Sequence, residues 1–285
     1  MPRPALSPVW LVLGGILSVQ FGAAIAKDLF GRIDPTAMVW LRLVTSAVVL
    51  VALARPSLRG RTREDWLVAA AFGLSLGAMN WAIYQSFARI PLGIAVTIEF
   101  VGPLALAVLG SRRPRDLLWV VLAGGGVALL GLEPGAVTLP GVLFALAAGG
   151  AWAAYILLSA RTGRRWPGLD GLAVASVVAT VLLTPAAVAT GGADLLDPTV
   201  LALGAAVGLL SSVIPYSLEM VALRTIPARA FSVLMSLEPA AAALAGVLLL
   251  RELLSPLQLV AMACVVVASI GATRSAPALT EPVPD

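Results

Sequence analysis

Apolar segments of membrane-spanning length follow one another along this chain, and they limit its folds more than any other feature. A helix needs roughly 20 apolar residues to cross a bilayer core of about 30 Å. Ten such segments occur between short polar interruptions, and 60% of the residues are hydrophobic against 12% charged. Backbone groups in lipid must be hydrogen-bonded within their segment, which favours helices, and the alternating segments of a membrane β-barrel do not occur in the sequence. The sequence therefore predicts an all-α membrane protein with ten transmembrane helices.

The positions of lysine and arginine predict the orientation of these helices. The predicted spans are Val9–Ala26, Thr36–Ala54, Trp66–Ala88, Leu92–Ser111, Leu117–Leu132, Thr138–Ala160, Leu169–Thr190, Thr199–Leu223, Ala228–Leu250 and Leu257–Thr273. Most of the 19 Lys and Arg residues fall on one side, which is expected to be cytoplasmic together with both termini. Residues 274–285 form a predicted disordered cytoplasmic tail. Since the basic clusters reflect topology, no nucleic-acid partner is predicted despite a pI near 10.0.

An internal repeat divides the chain into two halves. A shift of 136 positions aligns IPLGIAVTIEFVGPLALAVLG, which starts at Ile90, with IPARAFSVLMSLEPAAAALAG, which starts at Ile226, and it brings Pro103 onto Pro239. We predict one five-helix repeat in residues 1–133 and a second in residues 134–273. Because five is odd, the two halves run through the membrane in opposite senses. This is the inverted repeat of many secondary transporters, whose halves give alternating access to a central site.

Three charged residues lie deep inside the predicted spans. A charge at the middle of a span costs roughly 2.5–3.5 kcal/mol on insertion scales, so each one requires an explanation. At about 1.5 Å per helical residue, Arg42 and Glu99 lie roughly 9–11 Å below the predicted outer face and are expected to meet, and Glu238 lies near the midplane. The alternatives to a role in transport are a static Arg42–Glu99 ion pair, an arginine that snorkels outward, and a neutral, hydrogen-bonded Glu238.

Polar and aromatic residues accompany these charges and complete a predicted cavity. The third span places Trp81, Tyr84 and Gln85 on one face at helical spacing. Helix packing is the alternative role for the aromatic residues, and Glu219, near the end of the eighth span, is assigned to the membrane interface. Pro103, Pro215 and Pro239 each remove a backbone donor, which predicts irregular helix segments that face a cavity. The candidate substrate-binding residues are Arg42, Glu99, Asn80, Trp81, Tyr84, Gln85, Gln20, Tyr155 and Tyr216.

Other reactive side chains are scarce. The chain has no histidine, and its one cysteine, Cys264, lies inside an apolar run. Glu99 and Glu238 are therefore the candidate proton carriers, and no cofactor, metal site or catalytic residue is predicted. An intramembrane lipid-modifying enzyme is the alternative from another class, but the sequence contains neither an H-E-x-x-H motif nor an aspartate-rich metal motif.

Two long segments resemble a known family. PLGIAVTIEFVGPLALAVLGSRRPRD and SSVIPYSLEMVALRTIPARAFSVLMSLEPAAAALAGVLLLRE, together with ten spans and an internal duplication, resemble the EamA-type carriers of the drug/metabolite transporter superfamily. The pieces PLGIAV and EFVGPL are most similar to its threonine/homoserine exporter group. The resemblance covers nearly the whole chain. It implies a ten-helix bundle in the bacterial inner membrane that exports small amino acids or related metabolites, with proton antiport as the implied coupling.

The charge types in the predicted cavity suit a zwitterion, because Arg42 can face a substrate carboxylate and Glu99 an ammonium group. Competition of substrate and proton for one carboxylate is a simple way to build an exchanger. Export of cationic or lipophilic drugs is the alternative transport function, in which a membrane glutamate neutralises the cation and aromatic rings stack on it. Arg42 counts against this alternative because it repels a cation unless Glu99 already pairs with it. Faces rich in small residues are compatible with a homodimer.

Overall fold

The structure, a computed structural model, describes residues 7–110, 116–130, 137–223 and 226–275. The predicted boundary between the two repeats, at residues 133 and 134, lies outside the described residues, and so does the predicted tail after residue 275. The last helix continues to Ser275, so the first two residues assigned to the tail are helical.

The described residues form α-helices, with short 3-10 and π segments at some helix ends, and contain no β-strand. Within the ranges that the structure describes, nine helical segments are long and apolar enough to cross a membrane, and Leu117–Leu130 is a shorter apolar helix. These segments coincide with the ten predicted spans, so the predicted all-α membrane fold is confirmed. The helices are α1 (Pro8–Asp28), α2 (Pro35–Ala54), α3 (Arg63–Phe87), α4 (Leu92–Glu99), α5 (Val101–Leu109), α6 (Leu117–Leu130), α7 (Leu139–Gly163), α8 (Asp170–Gly191), α9 (Pro198–Gly208), α10 (Ile214–Leu223), α11 (Ala228–Met235), α12 (Glu238–Ala245) and α13 (Pro256–Ser275).

Side-chain caps fix several of the helix starts at the ends of the spans. The Thr62 side chain accepts a hydrogen bond from the Asp65 backbone, and the Asp65 carboxylate accepts one from the Thr62 backbone, which forms a capping box at the start of α3. Asp197 caps α9 in a similar way, and the hydrogen bond from the Thr199 backbone N–H lowers the pKa of the Asp197 carboxyl. A capped start leaves fewer unpaired backbone donors where the helix enters the bilayer.

Two of the spans are broken in their middle, at positions separated by the predicted shift of 136 residues. Phe100 separates α4 from α5, and Ser236 and Leu237 separate α11 from α12. Pro103 and Pro239 each lie in the first turn of the second piece, where an N–H has no helical partner in any case. The breaks therefore place Glu99 at the end of one helix and Glu238 at the start of another, both within the bundle.

A third irregularity lies in the span that contains α9 and α10. A π segment, Leu209–Val213, joins these two helices, and Pro215 lies in the first turn of α10. The predicted irregular segments at the three prolines are thus confirmed as two short breaks and one π segment.

Close helix packing brings the residues of the two predicted halves together. Helix α3 packs against α7 and α8, α2 packs against α8, α1 packs against α10 and α12, and α6 packs against α13. The closest crossing lies beside Glu99, where a Cβ on Gly102 would stand 1.9 Å from the Gly149 carbonyl oxygen. Small residues allow backbones to approach in this way in membranes, so the break after Glu99 is held directly against α7.

Candidate functional site

Arg42 links α2 to the irregular segment between α9 and α10. Its Nη2 donates a hydrogen bond of 3.1 Å to the Ser211 carbonyl oxygen, and its Nε lies 3.5 Å from the Ser212 hydroxyl. The guanidinium also stands over the Tyr84 ring, 5.7 Å from the ring centroid. The Ser211 carbonyl lies in the π segment, so the irregular backbone and the half-buried arginine satisfy each other.

The expected direct ion pair between Arg42 and Glu99 does not form. The ion pairs of the described residues do not include either side chain. Ser211 and Ser212 instead accept hydrogen bonds from the guanidinium. The Arg42 charge is still close enough to act on Glu99 and on Tyr216. Arg42 and Glu99 therefore interact electrostatically without direct contact.

Three carboxylates share the interior with this single arginine. Glu99 ends α4, Glu238 begins α12 and Glu219 lies in α10. The charges of Glu99 and Glu219 both act on the buried Glu238. Uncompensated charge is costly in a buried environment, so this arrangement favours binding of a proton or another cation among the carboxylates.

Glu219, which the sequence assigns to the membrane interface, is half-buried in the structure. It lines a cavity of about 540 Å³ together with the tyrosines Tyr155 and Tyr216. The remaining walls come from the second half of α2 and the start of α8. Tyr216 and Glu219 are three residues apart and thus share a helix face, which is the sequence signal that indicates a common site.

The opposite end of the bundle is held closed by charged groups. The Lys27 Nζ lies 2.5 Å from a Glu252 carboxylate oxygen and donates a hydrogen bond of 2.7 Å to the Ile90 carbonyl oxygen. The other Glu252 oxygen accepts a 2.7 Å hydrogen bond from the Leu92 backbone N–H at the start of α4. The backbone at Arg251 is left-handed, with φ of 56°, and it leads the chain from the preceding π segment into Glu252.

Three predicted site residues on α3 donate hydrogen bonds to neighbouring residues of the helix bundle. The Trp81 indole and the Gln85 amide both donate to the Thr36 hydroxyl, at 3.3 and 3.1 Å. The Asn80 amide donates to the Leu76 carbonyl of its own helix at 2.9 Å. Helix packing, the alternative role for Trp81, thus accounts for these contacts, whereas a substrate role for the three residues stays a prediction.

Other interior polar atoms have no hydrogen-bond partner among the described residues. They are the Gln20 side-chain oxygen, the Tyr84 hydroxyl and the Ser211 hydroxyl. An unsatisfied buried polar group costs about 1–3 kcal/mol. Tyr84 and Ser211 both contact Arg42 through other atoms, so two of these unused groups adjoin the predicted substrate site.

In the described part of the chain, nine apolar helices of membrane-spanning length and one shorter apolar helix surround charged and polar groups beside a cavity, an arrangement typical of the class of membrane carriers. Residues 139–274 match the EamA-like transporter family. The threonine/homoserine exporter RhtA of Escherichia coli (strain K12) is 41% identical over 273 residues, covering 95% of this chain and 92% of the relative. RhtA of Salmonella typhimurium (strain SL1344) shows the same identity and coverage. The chain belongs to the EamA-like transporter family.

The fold is also shared with a protein of known crystal structure. That structure aligns with a TM-score of 0.63 at 20% sequence identity, covering 95% of this chain and 99% of the other. At this identity the likeness concerns the fold alone. It extends over both predicted halves, whereas the family match lies within the second.

Proposed function

We propose that this protein is an inner-membrane carrier that exports threonine, homoserine or related small amino acids from a bacterial cell. The observation that carries the proposal is the 41% identity to threonine/homoserine exporters over 95% of the chain. The charge types of the interior support it, since a zwitterion has one group that Arg42 attracts and one that the carboxylates attract. The end of the bundle with Arg55 and Arg165 is cytoplasmic in this proposal, as are both termini.

Coupling to protons is the second part of the proposal. One arginine faces three carboxylates in the interior, so bound substrate or bound protons must offset the surplus negative charge. A proton and a substrate ammonium group that exclude each other at these carboxylates would produce antiport. Glu99 and Glu238 are the proposed carriers because they lie at the two breaks, between the ends of the bundle.

The test is efflux from proteoliposomes preloaded with labelled threonine or homoserine, with and without an imposed pH gradient. Gradient-driven efflux that disappears in Glu99→Gln supports amino-acid export with Glu99 in the coupling cycle. Glu64→Gln, which removes a mostly exposed carboxylate at a helix start, is the matched control and is expected to behave like the intact protein. Absence of efflux from correctly folded intact protein would contradict the proposal.

Export of organic cations is the competing function, and the three interior carboxylates favour it. The guanidinium of Arg42, which donates to Ser211 and Ser212, opposes a purely cationic substrate because the two cations repel each other. Inhibition of labelled threonine efflux by unlabelled compounds distinguishes the amino-acid exporter from the cation exporter. A quaternary ammonium compound that blocks threonine efflux more strongly than homoserine does would favour the cation exporter.

A further inference from the structure

We infer that Glu219 binds the ammonium group of the substrate as it enters from the cytoplasm. This inference rests on the proposed function and assigns a role to a residue that the sequence places at the membrane interface. Its starting point is the 540 Å³ cavity, which lies where α2 ends and α8 begins. Small-molecule sites usually measure about 300–1,000 Å³, so the cavity is large enough for a small amino acid.

Glu219 is the carboxylate among the described residues that line this cavity. On its other side lies α1, where a Cβ on Gly15 would stand 3.6 Å from the Glu219 side chain. The ion pairs within the described part of the chain do not include Glu219. The carboxylate is therefore confined between α1 and the cavity without a cation to neutralise it, which makes it a favourable position for an ammonium group.

The neighbours of Glu219 suit the same group. The charge of Glu219 acts on Tyr155 and on Tyr216, and the side chains of these two tyrosines interact with each other. Aromatic rings attract cations through their π faces. A carboxylate beside two tyrosines thus provides both the charge and the aromatic walls that an ammonium group requires, and the same walls accommodate a small side chain.

The position of Glu219 also separates its role from those of Glu99 and Glu238. These two glutamates are not among the residues that line the cavity, whereas Glu219 is. The charges of Glu219 and Glu99 both act on Glu238. In the inferred pathway, a substrate that leaves Glu219 for the centre of the bundle meets Glu238 and Glu99 next, and Arg42 is available for its carboxylate.

The closing experiment measures uptake of labelled threonine into inside-out membrane vesicles, which present the cytoplasmic side to the medium. Glu219→Gln is expected to raise the half-saturating threonine concentration at least tenfold, and Glu219→Asp to recover part of the loss. Asp194→Asn removes an exposed carboxylate from the turn after α8 and is expected to leave uptake unchanged. An unchanged half-saturating concentration in Glu219→Gln would overturn the inference while the proposed function stands. If the intact protein takes up neither threonine nor homoserine, the proposed function fails and the inference falls with it.

A second measurement does not depend on the folding of a Glu219 variant. Cys264 is the one cysteine of the chain, so Cys264→Ser provides a cysteine-free background. Ser217→Cys then introduces a thiol among the residues lining the cavity. Threonine is expected to slow its reaction with a charged methanethiosulfonate reagent in inside-out vesicles, and N-acetylthreonine, which lacks the ammonium group, is expected to protect far less. Equal protection by both compounds would overturn the role of Glu219 as an ammonium site.

Discussion

The two ends of the helix bundle are built from similar charged residues, but they use them differently. At the predicted outer end, Lys27 and Glu252 contact each other and also the backbone at the start of α4, so the ion pair joins the two predicted halves inside the bundle. At the predicted inner end, Arg61 and Asp170 join two connecting segments beside a cavity of about 540 Å³. An ion pair between the two predicted halves at one end and a cavity at the other form the kind of asymmetry that alternating access would require.

The charged contacts at the predicted inner end hold the segments between helices together. The Asp170 carboxylate accepts a 3.1 Å hydrogen bond from the Ser57 backbone N–H, and Arg61 donates to the Arg165 carbonyl oxygen. The Arg61 guanidinium also stacks on the Trp166 ring at 4.3 Å. These contacts hold the connection between α2 and α3 against that between α7 and α8, and they leave the space between the helices open.

The largest expected effect comes from breaking the outer ion pair. Glu252→Gln leaves the Lys27 ammonium without its partner in a site where both side chains are less than 20% exposed, 17% and 18%. Removal of one partner from a buried pair costs roughly 3 kcal/mol or more, so we expect the outer end to open, with greater labelling of nearby engineered cysteines from outside and a large loss of threonine export. The double variant Lys27→Met/Glu252→Gln is expected to be less impaired than Glu252→Gln alone. Equal losses in both variants would contradict the role of this pair in closure.

A smaller effect is expected at the inner end. Asp170→Ala removes the acceptor for the Ser57 N–H and the partner of Arg61. The loss of such charge-assisted contacts costs about 2 kcal/mol. Thermal unfolding in detergent is the measurement, and the melting temperature should fall while the half-saturating threonine concentration stays close to that of the intact protein. A large change in transport without a change in stability would mean that this end, too, acts as a gate.

Asp197, at the predicted outer end, allows a pH-dependent test of how its carboxylate caps α9. Hydrogen bonding to the start of α9 lowers the pKa of its carboxyl in the folded protein. The stabilisation is therefore fully present above the unfolded pKa of about 3.9 and is lost as the pH falls through the lower folded pKa. Asp197→Ala should lower the melting temperature slightly at pH 7 and leave it unchanged well below pH 3. The same difference at both pH values would exclude an ionised cap.

The smallest effect is expected for the exposed ion pair at the start of α3. Glu64 pairs with Arg165, but its side chain is 68% exposed, and Asp65 also binds that arginine at 3.0 Å. Exposed ion pairs contribute little because water and salt screen them. Glu64→Gln should leave both the melting temperature and threonine export unchanged. A loss of export would indicate that the inner connections take part in the transport cycle.

The sequence predicts the helices better than it predicts their contacts. Apolar length and local proline signals determine the ten spans and the breaks beside Glu99 and Glu238, because each depends on a few neighbouring residues. The partners of Arg42 depend on how α2 packs against the segment between α9 and α10, about 170 positions later. Since residues that face lipid and residues that face other helices are both apolar, the sequence does not indicate how each helix is rotated. Depth along the chain therefore predicts an Arg42–Glu99 pair that the packing replaces.

The position of α4 has a mechanical consequence. The backbone N–H of its first residue, Leu92, is bound by Glu252, and its last residue is Glu99. These eight residues span only about 12 Å, and just beyond Glu99 the chain is held against α7 by the close approach of Gly102 and Gly149. The short helix therefore connects the Lys27–Glu252 ion pair at one end to the interior charges at the other. In the proposed transport cycle, separation of this ion pair would release the start of α4 while its Glu99 end stays anchored, so the helix would pivot about Glu99 and couple the predicted outer end to the electrostatics of the interior.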